Sequence, residues 1–178
     1  MRRILFGAAL LISVVLLPGA AGASANDDHA RQQNLFVARL TGAQEVPAVD
    51  SQATGRASFL ITDNDTKIRF RISERGVARI TQSHIHVGAA GTAGPVVLFL
   101  FPTFAVKGSV DGEGWSVSGT LTAADLIPQA GATPAVNTFA DAVAAIRSGN
   151  TYANIHSPAH PGGEVRGQLR PAFGSDDD

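Results

Sequence analysis

The chain has 178 residues, a formal net charge of −1 and no cysteine, which sets it at one domain of ordinary size, or at most two small ones. It excludes a disulfide scaffold, thiolate metal sites and cysteine nucleophiles, and the charge disfavours a basic nucleic-acid binder. With 44% hydrophobic and 16% charged residues the chain can bury a core, and 19 glycines against 6% aromatics point to many turns between short strands.

Residues 1–25 read as a secretory signal: Arg2 and Arg3 give a positive start, residues 4–17 form a nearly unbroken apolar run, and Ala21-Gly22-Ala23 and Ala23-Ser24-Ala25 are overlapping cleavage sites. The apolar run is shorter than the roughly 18 to 20 residues that span a bilayer. The expected product therefore starts at Ser24 or Asn26 in a secreted or periplasmic location, with no membrane insertion after cleavage. Residues 26–33, with His29, are expected to be a flexible lead-in.

The ordered part begins near Asn34. Over residues 66–73, Ile68, Phe70 and Ile72 alternate with Lys67, Arg69 and Arg71, a pattern that a half-buried strand explains. Residues 53–62 predict its hairpin partner, joined through Asp63-Asn64-Asp65, residue types that tolerate left-handed backbone. Residues 35–40, 80–87, 96–101, 115–121, 152–156 and 164–169 complete about eight short strands. Thr122-Ala123-Ala124-Asp125 and Thr138-Phe139-Ala140-Asp141 resemble capping boxes. The first predicts a single turn and the second a short helix ended by Gly149. Residues 172–178 read as an acidic, disordered tail. The fold class is thus all-β, a single antiparallel β-sandwich with one short helix, and Trp115 is expected in its core. A faint internal echo, Ile85-His86 then Gly94-Pro95-Val96 against Ile155-His156 then Gly163-Glu164-Val165, predicts two similar strand-loop-strand units facing each other across the sandwich.

Four of the five histidines fall in His84-Ile85-His86 and His156-Ser157-Pro158-Ala159-His160. Strand residues i and i+2 share a face, with Cα atoms roughly 6.5 to 7 Å apart, so His84 and His86 can reach one ion. His156 and His160 are the other candidate ligands. A nitrogen-only set suits Cu(II), Zn(II) or Ni(II) rather than hard ions. The same imidazoles could instead pin loops by hydrogen bonding to backbone carbonyls or serve in proton transfer. Glu45, Glu164 and Arg166 lie among small and apolar neighbours. Glu164 and Arg166 share a strand face, where the carboxylate could orient a ligand histidine or form a structural ion pair. No nucleophile elbow or phosphate loop is present, and the glycine-rich residues 88–94 run into a strand, not a helix.

The ordered series Leu40-Thr41-Gly42-Ala43-Gln44-Glu45-Val46-Pro47, Ser83-His84-Ile85-His86-Val87-Gly88, Gly94-Pro95-Val96-Val97, Gly149-Asn150-Thr151-Tyr152-Ala153-Asn154-Ile155-His156 and Gly162-Gly163-Glu164-Val165-Arg166-Gly167-Gln168-Leu169 resembles the CHRD domain, the module repeated in chordin, over residues 34–171. The resemblance implies an extracellular binding or structural module with an unidentified extracellular or envelope partner, and no catalytic residue. A weaker, local likeness links His84-Ile85-His86 to the copper-zinc superoxide dismutases, although the dismutase disulfide cannot form here. The expectation is therefore a non-enzymatic exported module with a Cu or Zn site, the alternative being a dismutase-like or redox copper enzyme of the cell envelope.

Overall fold

The computed structural model describes residues 34–102, 107–111 and 114–173. The expected export signal, the lead-in with His29 and residues 174–178 of the tail lie outside the described residues. The described elements run β1 (Leu35–Thr41), β2 (Thr54–Thr62), β3 (Lys67–Arg75), β4 (Gln82–Val87), β5 (Val96–Phe101), β6 (Lys107–Asp111), β7 (Gly114–Leu121), α1 (Phe139–Arg147), β8 (Thr151–His156), β9 (Val165–Gln168) and β10 (Arg170–Pro171).

The alternation along β3 has the physical consequence expected of it. Ile68, Phe70 and Ile72 are buried while Lys67, Arg69 and Arg71 are exposed, because successive strand side chains point to opposite faces. Phe70 lies in register with Phe59 of β2, their rings stacked 6.5 Å apart. The connecting Asp63, Asn64 and Asp65 have φ values of 56°, 54° and 66°, the left-handed backbone that these short polar side chains tolerate.

All strand pairs are antiparallel, and the sheet runs β5-β4-β8-β9-β1-β2-β3-β7-β6, with β10 beside β1. The fold is all-β, as expected, and ten strands replace the expected eight. The two unforeseen ones lack a pattern of their own: β10 has two residues, and Lys107-Gly108-Ser109-Val110-Asp111 has no apolar alternation and gains strand form by pairing with β7. The two layers belong to one continuous sheet that curls until its ends approach. Phe101 of β5 and Trp115 of β7 meet edge to face at 5.1 Å. Trp115, expected in the core, packs against it from the seam and is partly buried there.

Both expected capping boxes are formed. Thr122 and Asp125 bracket one 3-10 turn, and Thr138 and Asp141 start α1, satisfying amides that the first helical turn leaves free. Gly149, at φ 71°, ends the helix. Arg147 in its last turn does more than complement the helix dipole: it forks onto the Asp65 carboxylate at 2.5 and 2.7 Å and donates to Asn34 Oδ1 at 2.8 Å, fastening α1 to the β2–β3 turn and to the residue before β1. Order also continues into the expected tail, since the Ala172 N–H donates to Leu35 O at 2.8 Å.

The echoing units occupy different places from those expected. They are the hairpins β4–β5 and β8–β9, and they lie side by side in the same sheet through the β4–β8 pairing. That pairing assembles the site.

Candidate metal centre

In the β4–β8 register, Gln82 faces His156, His84 faces Asn154 and His86 faces Tyr152. The intervening Ile85, Val87, Ala153 and Ile155 point into the core and are fully buried, so period-two geometry sends His84, His86, Tyr152, Asn154 and His156 to the opposite face. An outer sheet face is ordinarily wet, yet His84, His86 and His156 are only 3%, 8% and 5% exposed. The loops that follow β4 and β8 fold back over them, touching the rings through Gly94 and Pro161.

Those two contacts decide where the protons sit. A carbonyl oxygen can only accept, so His86 Nδ1 donates to Gly94 O at 2.8 Å and His156 Nδ1 donates to Pro161 O at 3.0 Å. With Nδ1 protonated in a neutral ring, each Nε2 keeps a lone pair. His156 Nε2 faces His84 Nδ1 at 3.1 Å and accepts a hydrogen bond from it. His84 Nε2 is thereby left as a lone pair, and it is buried with no hydrogen-bond partner. His86 Nε2 lies 3.1 Å from the Asn154 side-chain amide, which satisfies that lone pair by presenting its Nδ2 donor. The buried lone pair of His84 Nε2 is the group of this cluster left unanswered, which is costly, and a cation there would answer it.

The spacing fits one ion. Ligand nitrogens of His84, His86 and His156 all lie within 4.8 Å of one another, against an edge of roughly 3.3 Å in a tetrahedron with zinc–nitrogen bonds of about 2.05 Å, so closure shortens any one separation by at most about 1.5 Å. The rings also hold the form that a metal requires. Burial, then the neighbouring His156 and His86, pushes His84 down to about 3. Burial likewise pushes His86 down to about 4 against the opposing Gly94 hydrogen bond. It lowers His156 as well, opposed by the Pro161 bond. The histidines are neutral at pH 7, as nitrogen ligands must be. A ring whose second nitrogen donates to a carbonyl is the arrangement that orients metal-bound histidines.

Around the triad stands a second layer. Tyr152 stacks flat on His86 at 4.7 Å with an 8° tilt, and its hydroxyl exchanges hydrogen bonds with the Gly94 backbone. The Arg166 guanidinium lies 3.3 Å above the Tyr152 ring, a cation–π contact, and donates to Ala89 O. The Phe99 ring meets His84 edge-on at 4.4 Å. Glu45 is buried beside Gly163, where any Cβ would overlap its carboxylate. Burial pushes it up to about 7 despite the attraction of Arg166, and its Oε1 has no hydrogen-bond partner.

Of the residues singled out from sequence, the fold brings His84, His86 and His156 together. His160 does not join them among the described residues: its backbone N–H bonds to Ser157 and shapes the loop, and the converging group has three members. Glu164 and Arg166 form no ion pair with each other. Glu164 accepts from Ser51 Oγ at 2.9 Å, and Arg166 turns to Tyr152 and the 88–94 loop. Tyr152 and Asn154 were missed, though their period-two spacing with His156 places all three on one face. The carbonyls of Gly94 and Pro161 carry no sequence signal, since any residue has one.

No curated protein and no solved structure matches the chain. A protein-family model described as the CHRD domain matches residues 36–169, a span that runs from β1 to the end of β9 and takes in the whole histidine cluster, and the chain belongs to the CHRD domain family.

Proposed function

We propose that this CHRD domain is an exported, non-enzymatic binding module whose β4–β8 face is organised by one transition-metal ion, Zn(II) or Cu(II), held by His84, His86 and His156. The observation that carries this reading is the gathering of one ring nitrogen from each of three buried histidines within 4.8 Å of one another, with His84 Nε2 left without a hydrogen-bond partner. Export rests on Arg2, Arg3, the apolar residues 4–17 and the two small-residue cleavage sites. No helix among the described residues is long and apolar enough to cross a membrane.

A redox centre of the dismutase-like kind needs an open coordination position that a substrate can approach. Here the Gly94 and Pro161 loops lie on the rings and His84 is 3% exposed, which favours a static ion that fastens two hairpins. The test is titration of Zn(II) and Cu(II) into metal-stripped, tag-free protein, followed by calorimetry and thermal melting. One equivalent should bind and raise Tm through affinity for the folded state alone. The double variant His84→Gln/His86→Gln should lose both signals, whereas His160→Gln should keep them. No binding heat beyond that of the double variant refutes the metal site, and superoxide turnover by the copper-loaded protein would move the reading to the redox alternative.

A further inference from the structure

The face of the sheet that points away from the core over β1, β2 and β3 carries Arg39, Arg56, Lys67, Arg69, Arg71 and Arg75, all exposed, on a chain whose net charge is −1. The strand positions on this face hold no carboxylate. Among the described residues, Asp63 and Asp65 in the β2–β3 turn pair with Lys67 and Arg147, Asp125 and Asp141 cap helical turns, Glu45, Glu74 and Glu164 are buried, and Asp50 lies exposed in the β1–β2 connection. Arg39 and Arg56 are directly opposed across β1 and β2, a like-charge pairing that weakens a sheet. Core packing does not account for the choice, because a hydroxyl at either position would suit the same outward face.

These arginines border a concave surface. A cleft of about 730 Å³ is lined by Arg39, Arg56, Arg71 and Arg75 with Thr54, Ser73 and Ser116 between them, and Trp115 closes one end. Glu74 reaches the cleft from the inner side, with its carboxylate accepting from the Val77 N–H at 2.9 Å. A second cleft runs on from it along Val37, Arg39, Arg56, Ser58 and Arg71. Among the described residues, Arg39, Arg56 and Arg71 have no carboxylate partner, and Arg71 Nη2 reaches only Ser116 Oγ, at 3.4 Å.

We infer that this face is a docking surface for a linear acidic polysaccharide, a chain carrying a carboxylate on successive sugars. Arginine forks match carboxylates in a bidentate manner, and the threonine and serine hydroxyls of the floor can exchange hydrogen bonds with sugar hydroxyls. A lipid surface fits less well, because the one large apolar side chain exposed on the face is Val37. A single-stranded nucleic acid would want a row of aromatic platforms, and the cleft offers Trp115 alone. A peptide adding to the sheet needs a strand edge, whereas this is the outer face of four neighbouring paired strands, β1, β2, β3 and β7. The inference is independent of the metal reading.

The experiment measures binding of the full chain to polyuronate oligomers by calorimetry and on a polyuronate column at low salt, with uncharged dextran as the control. Binding should appear for the polyuronate, be absent for dextran and weaken steeply as salt rises. Arg39→Gln/Arg56→Gln/Arg71→Gln should weaken it by at least about tenfold, and the matching triple lysine variant, which keeps the charge without the fork, should fall between. Circular dichroism verifies that both variants fold, as exposed strand positions allow. Chelation of metal should change nothing. No polyuronate binding at low salt, equal binding by the triple glutamine variant, or tighter association with phosphatidylglycerol vesicles than with the polymer would each overturn the inference.

Discussion

Acidifying the metal-free protein from pH 7 to pH 5 should cost it stability, and the histidine triad should be the source. His84 and His86 have folded-state pKa values pushed down to about 3 and about 4, against roughly 6.5 in the unfolded chain. Below pH 6.5 the unfolded state therefore binds protons that the folded state refuses, so stability falls with pH until the folded values are reached. At about 1.4 kcal/mol per pH unit per group, the interval from pH 6.5 to 5 costs on the order of 2 kcal/mol for each of the two rings, with His156 acting in the same direction. Glu45 opposes them. Its folded pKa is raised to about 7, so between pH 7 and its unfolded range near 4.5 the folded state takes up the extra proton and acid stabilises it, by about as much as one histidine loses. Glu74, also raised by burial, acts in the same direction as Glu45 and against His156, while Asp63, Asp65 and Asp141, all shifted downward, stay ionised across this window. A net loss of about 2 kcal/mol should lower Tm by several degrees in a domain of this size. The assay is calorimetric melting of chelated protein at pH 7 and pH 5, for wild type, His84→Gln/His86→Gln and Glu45→Gln. The double variant should flatten or reverse the pH dependence and Glu45→Gln should steepen it. An unchanged difference between the two pH values in the double variant would show that those rings are not neutral and buried in the folded state.

Four further outcomes test the fold around the site. Phe70→Ala, at a 4% exposed position stacked on Phe59, should destabilise by about 3 to 5 kcal/mol in denaturant titrations, while Arg69→Ala on the other face should change stability by less than about 0.5 kcal/mol. Thr138→Ala removes the capping hydroxyl that accepts from the Asp141 N–H and should cost about 1 kcal/mol, read from the same titrations. Arg147→Ala breaks a fork onto Asp65 whose partners are 40% and 44% exposed, so its ion-pair contribution should be at most about 1 kcal/mol and should shrink at high salt. Gly163→Ala combines a φ of 133° with overlap of the Glu45 carboxylate and should lower Tm more than Gly162→Ala, where a Cβ would meet nothing within 4 Å.

What could be read from sequence was whatever leaves a local periodic mark. The Ile68, Phe70, Ile72 alternation, the Asp63-Asn64-Asp65 turn and the two Thr-x-x-Asp capping boxes each act within a few residues, and each formed as read. Strands that borrow their form from a neighbour, β6 and β10, left no such mark. Nor does composition tell a two-layer sandwich from a single sheet that curls shut, since closure depends on Phe101 meeting Trp115 across a seam. At the site, the His-x-His spacing announced a shared face but not its partner strand. His160, a further candidate four residues from His156, lies in a tight loop held by Ser157, whereas His156 still belongs to β8 and inherits the strand's register.

That register also explains why there are three histidines and not four. The hairpins β4–β5 and β8–β9 meet with β4 and β8 antiparallel, His86 opposite Tyr152 and His156 opposite Gln82, so an approximate two-fold axis through the His84–Asn154 pair exchanges His86 with His156. Each of these two rings sits before its hairpin loop and donates Nδ1 to a carbonyl of that loop, Gly94 in one case and Pro161 in the other. His84 lies next to the axis, and its counterpart is Asn154, whose side chain already faces His86 Nε2. Near the axis two imidazoles would compete for one volume, while an amide fits beside a single ring. The ion proposed for this site would thus draw one ligand from the centre and one from each hairpin mouth, coupling both loops to β4. Loss of the metal should loosen the 88–94 and 157–164 loops together, and hydrogen exchange on the metal-stripped and zinc-loaded protein measures this directly: protection gained in only one of the two loops would break the link between the paired hairpins and the site.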